Sequence, residues 1–144
     1  MLQFFKYIIP LILIFSGFAT IDAQFCRNYE QKHCSEPPAD FVNSSVSRAF
    51  TLGKDHVVRF NQILYGGRTY FLSVCGEKKL GNIEFRLLAD DEAGTVLYSN
   101  SSNGYIGEQT FQIENSIKLV IEILAPDYSV ADNHRCAGLK IYYK

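Results

Sequence analysis

Beyond Cys34, apolar and polar residues alternate with a period of two along most of the chain, the repeat of strands that bury one face. In "IEFRLL", Ile83, Phe85 and Leu87 share a face while Glu84 and Arg86 take the other. "SIKLVIEIL" sets Ile117, Leu119, Ile121 and Ile123 against Lys118 and Glu122, and "TFQIE" turns Phe111 and Ile113 inward. "GLKIYYK" alternates Leu139, Ile141 and Tyr143 with Lys140 and Tyr142. "TYFLSVC" sets Tyr70, Leu72 and Val74 against Phe71, Ser73 and Cys75, so both of its faces are expected to be covered. "VSRAFTL", "HVVRFNQIL" and "TVLYS" are looser runs rich in β-branched and aromatic residues, which suit strands. Turn residues separate the first seven, Gly53-Lys54-Asp55, Tyr65-Gly66-Gly67, Gly76 to Gly81, Asp90 to Gly94, Asn100 to Gly104, and Asn115, and the long loop 125–134 leads to the last. The pattern predicts an all-β, antiparallel β-sandwich of about eight strands over residues 46–144.

Two segments break the alternation. The chain opens "MLQFFKYIIPLILIFSGFATIDAQ": Lys6, an apolar stretch from Tyr7 to Phe18, then Ala23 before Gln24. That order is a secretory signal peptide over residues 1–23. An anchor helix needs roughly 20 apolar residues, and Pro10, Ser16 and Gly17 interrupt this stretch. A lipid-modified Cys26 is disfavoured because Ala23-Gln24-Phe25 lacks a run of small residues. The mature chain is therefore expected to carry no membrane span and to lie in the periplasm, on the cell surface or outside the cell. The second segment, residues 24–45, is polar, contains Pro37-Pro38 and has room for a short helical turn before them. It is expected to be an N-terminal strap tethered by cysteine.

Cleavage removes Lys6 and Asp22 together, so the net charge of −1 is unchanged. The remaining roughly 120 residues suit a single core. Near-neutral charge without a basic run excludes a nucleic-acid partner, because phosphate binding needs concentrated positive charge.

Four cysteines, Cys26, Cys34, Cys75 and Cys136, lie in the mature part, and an even number in an exported chain reads as disulfides. The favoured pairing is Cys75–Cys136 with Cys26–Cys34. The first would staple two strands and close a loop of about 60 residues, stabilising by roughly 4 kcal/mol. The second requires "CRNYEQKHC" to be looped, because eight residues of straight helix span about 12 Å. Zinc is the competing use, with His33 beside Cys34 and His134 near Cys136, but no close cysteine pair of the zinc type occurs.

The succession "RAFTLGKDHVVRFNQILYGGRTYFLSVCGE", "IEFRLLADDEAGTVLYSN", "FQIENSIKLVIEILAP" and "RCAGLKIYYK" resembles a group of small exported proteins of Bacteroidota. Their plan is similar to the bacterial pre-peptidase C-terminal domain, a jelly-roll sandwich. In that pattern a D-x-x-G-x-x-L turn follows a core strand, and Asp91, Gly94 and Leu97 stand in it here. The resemblance covers roughly residues 46–143 and implies a jelly roll with no catalytic residues. The disulfide cysteines and the strap are not part of the generic pre-peptidase pattern.

No catalytic signature appears around His33, His56 or His134, and the chain reads as a non-enzyme with no cofactor. Asp90, Asp91 and Glu92 are calcium candidates, because calcium takes oxygen ligands from loops and the resembled domains include calcium binders. The run lacks spaced ligands, and a solvated turn accounts for it as well. The functional reading is a secreted interaction module for an unknown protein or glycan, acting through strand edges and the loops 99–107 and 125–134. A carbohydrate-binding module is the alternative, with Tyr98, Tyr105, Tyr128 and Tyr142 as sugar platforms beside Asn100, Asn103 and Asn133. "NSS" at Asn43 and Asn100 fits the N-glycosylation sequon, which would mark two exposed sites in a eukaryote.

Overall fold

The computed structural model describes residues 25–144, and the leader expected over residues 1–23 lies outside them. Nine strands follow one short helix, α1 (Tyr29–His33). They are β1 (Val42–Asn43), β2 (Arg48–Leu52), β3 (Val57–Leu64), β4 (Arg68–Gly76), β5 (Glu84–Ala89), β6 (Val96–Ser99), β7 (Glu108–Ile113), β8 (Ile117–Leu124) and β9 (Arg135–Tyr143). The eight alternating runs of the sequence are β2 to β9. The two-residue β1 comes from the strap, which the period-two pattern does not reach.

One sheet has the order β2-β9-β4-β7, with β1 also pairing β9; the other runs β3-β8-β5-β6, and every pair is antiparallel. Only β5 and β6 are consecutive neighbours. Every other connection among β2 to β9 crosses between sheets, which is the doubled Greek key of a jelly roll. Leu52, Leu64, Leu72, Phe85, Ile121 and Ile123 are fully buried between the sheets, and Phe85, Ile121 and Ile123 lie on the face that their alternation assigns. Among the described residues no helix is long and apolar enough to cross a membrane.

Strand β9 departs from alternation. Cys136, Lys140 and Tyr142 of its outer face are buried as well as the inward Ala137, Leu139 and Ile141. The cover is the segment before β2. Helix α1 lies on β9 where Gly138 offers no side chain: a Cβ there would stand 2.8 Å from Glu30 Cα and 2.6 Å from Glu30 Cβ. Beyond the helix, Glu36 pairs with the buried Lys140 (Oε1 to Nζ, 3.3 Å), and Asn43 sits opposite Tyr142 in the β1–β9 pairing. Ser73 of β4 is also fully buried, so both faces of that strand are covered as its sequence suggests.

All four cysteines form disulfides, but the pairing is Cys26–Cys136 and Cys34–Cys75, not the one favoured from spacing. Two geometric facts decide it. Residues 29–33 are helical, so Cys26 and Cys34 are held apart. In the β4–β9 register Cys75 stands opposite Gly138, leaving Cys136 on the diagonal. Diagonal Cα atoms lie about 7–8 Å apart, beyond ordinary disulfide reach. The strap is thus bonded to both central strands beneath it.

Peptide mapping of the non-reduced protein by mass spectrometry is expected to recover Cys26 linked to Cys136 and Cys34 linked to Cys75. Gly138→Ala should lower stability by about 1–3 kcal/mol in chemical denaturation, because the helix backbone must shift to admit the methyl group.

Candidate functional site

Where α1 meets the turn after β4, a groove of about 500 Å³ remains open. Phe25, Tyr29 and His33, recurring every four residues, line it from the strap side. Tyr29 and His33 stack with ring centroids 4.3 Å apart, and Phe25 is 73% exposed. The facing wall is Glu77, Lys78 and Lys79, entering a 3₁₀ turn over Lys78–Leu80, and Cys136 contributes at the base.

Glu77 is held by the protein itself. The Glu77 backbone N–H donates to the Cys136 carbonyl at 2.9 Å, and its carboxylate accepts from the Cys136 backbone N–H. Arg135 lies 3.8 Å from the other carboxylate oxygen. Burial, and secondarily the Glu77 charge, push the Tyr29 phenol above its ordinary value of 10. Tyr29 therefore stays a neutral hydroxyl. Among the described residues Lys78 and Lys79 form no ion pair.

The residues singled out from the sequence do not gather here, His33 excepted. Tyr128 and Tyr142 are buried, so neither offers a ring face to a sugar. Tyr98 is wedged between Phe85 and Phe111, at centroid distances of 5.4 and 5.0 Å, and its hydroxyl accepts from Asn103 Nδ2 at 3.1 Å. Tyr105 is half-buried in the loop after β6 with φ 61°. Asn100 is fully buried: its Oδ1 accepts from Phe85 N–H at 2.9 Å, and its Nδ2 donates to the Ile83 and Ile106 carbonyls. That side chain clamps the loop to β5, so the second sequon is not an exposed site. Asn43 and Asn133 are exposed.

The acidic turn is likewise occupied by its own fold. Asp91 accepts from the Thr95 N–H and Oγ1 at 3.2 and 3.1 Å, bonds that hold its carboxyl below the ordinary carboxylate value. Asp90 pairs with Lys118 at 3.1 Å, and Glu92 is exposed. His56 and His134 meet edge to face at 5.7 Å, beside a smaller pocket of about 250 Å³ that His56 and Tyr128 line. Among the described residues no three histidine, cysteine or acidic side chains are placed to hold a metal together.

The groove was legible in part: the ring spacing stands in the sequence, but the partner wall comes from residues about 50 positions away. No protein-family model and no curated protein matches the chain. Among solved structures, it is similar to Aeromonas hydrophila PliG, a periplasmic inhibitor of g-type lysozyme. The TM-score is 0.47 at 14% identity, over 76% of this chain and 93% of that one. It is also similar to the pre-peptidase C-terminal domain of a Bacillus anthracis collagenase. There the TM-score is 0.48 at 16% identity, over 69% of this chain and 89% of that one.

With tyrosine Cζ labelled, carbon NMR titration should show the Tyr29 phenol ionising above 10, and Glu77→Gln should bring that midpoint part of the way down.

Proposed function

We propose that the chain is an exported, non-enzymatic binding module of jelly-roll architecture, and that its ligand enters the groove beside the strap. The signal peptide read over residues 1–23 and two disulfides support an extracytoplasmic address, since such bonds persist in oxidising compartments. One observation carries the binding reading: the groove brings the Phe25 and Tyr29 rings together with the Lys78 and Lys79 amines, which form no ion pair among the described residues. Its volume falls in the range of small-ligand clefts, roughly 300–1,000 Å³. The floor is fixed by a disulfide and two reciprocal bonds between Glu77 and Cys136, so binding has side chains to order and not the backbone that carries them. The loops 99–107 and 125–134 are weaker candidates, because Asn100, Asn103 and Tyr128 of those loops are engaged or buried.

Saturation-transfer NMR against a set of neutral and acidic oligosaccharides and peptides should return ligands that shift Phe25, Tyr29, His33, Lys78 and Lys79. Ligands that shift only the two loops, or any ligand converted to product, would contradict this function.

A further inference from the structure

Resting on the groove as the binding site, we propose that its ligand is an acidic saccharide, a glycan bearing uronate carboxylates. Two features disfavour an extended peptide. Strand β9 beneath the groove is flanked by β2 and β4, so it offers no open edge for main-chain pairing. The main-chain groups of Glu77 and Cys136 are already engaged: the Glu77 N–H donates to the Cys136 carbonyl, the Cys136 N–H to the Glu77 carboxylate, and the Leu80 N–H to the Glu77 carbonyl. Recognition then falls to side chains.

Those side chains are of two kinds. Phe25 and Tyr29 supply flat apolar surface, which suits the C–H face of a sugar ring. Of the remaining polar groups, the Lys78 and Lys79 ammonium groups are donors only, and the Tyr29 hydroxyl and the His33 ring can each donate as well. A donor-rich lining selects an acceptor-rich, negatively charged ligand. The one carboxylate present, Glu77, already accepts from the Cys136 N–H and faces Arg135, so it does not neutralise both lysines. Rings and ammonium groups together fit a ligand that carries both a pyranose face and a charge.

The test is calorimetric titration of the oxidised, exported protein with tetragalacturonate, maltotetraose and hexaglutamate. Tetragalacturonate should bind at about 50 mM NaCl and weaken several-fold at about 300 mM, as exposed ion pairs are screened. Maltotetraose and hexaglutamate should each bind about tenfold more weakly, the first lacking the charge and the second the ring. Lys78→Ala with Lys79→Ala, and separately Phe25→Ala, should each weaken tetragalacturonate about tenfold without moving Tm, since all three side chains are exposed. Equal affinity for hexaglutamate, undiminished binding in both variants, or no binding of tetragalacturonate overturns the proposal. Maltotetraose bound equally well on the same residues also overturns it, while leaving the groove a binding site.

Discussion

Cys26 and Cys34 stand on either side of a helix five residues long, and each is bonded to a different strand of one sheet. The two bonds span sequence separations of 110 and 41 residues. On the chain-entropy account, taken singly, the first removes about 5 kcal/mol and the second about 4 kcal/mol of disorder from the unfolded state. A polar segment with few apolar side chains would otherwise have little to hold it on a sheet. Once fixed there, it converts β9 from a strand with one wet face into one buried on both sides. Lys140 is the consequence: its side chain is 2% exposed, and Glu36 of the strap, with the Tyr142 ring 5.8 Å away, offsets the cost of burying its charge.

The opposite outer face is managed differently. Among the described residues no segment covers it in the way the strap covers β9. Instead charges are shared across its strands. Glu122 of β8 is nearly buried and binds Arg59 of β3 at 2.7 Å and Arg86 of β5 at 3.2 Å. Arg86 also approaches Glu84 at 3.4 Å, and Ser99 of β6 donates to that same carboxylate. Exposed pairs of this kind stabilise little individually. Glu122 is the member with most at stake, because a nearly buried carboxylate without its partners would be costly. That sheet face is therefore largely self-neutralised.

The loops spend their polar groups in the same way. Asn100 accepts one main-chain bond and donates two, fastening the β6–β7 loop to β5. Asp91 caps its own turn through Thr95, and Asp90 reaches Lys118. The rim of the strap, where Phe25, Lys78 and Lys79 are exposed, is the surface proposed for binding.

Sequence by itself determined the strands. Their period-two patterning is a local property, so β2 to β9, and the inward faces of β5, β7, β8 and β9, could be read from neighbours two positions apart. The even number of cysteines also pointed to oxidation in pairs, and both disulfides are present. Which cysteine meets which was decided only by tertiary structure. That depends on the β4–β9 register, which sets Cys75 against Gly138, and on the short helix that separates Cys26 from Cys34. The burial of Lys140 and Tyr142, and the failure of the four tyrosines to form one platform, have the same origin. A strand's alternation tells which side chains share a face, but whether that face meets water is settled by whatever other part of the chain lies across it.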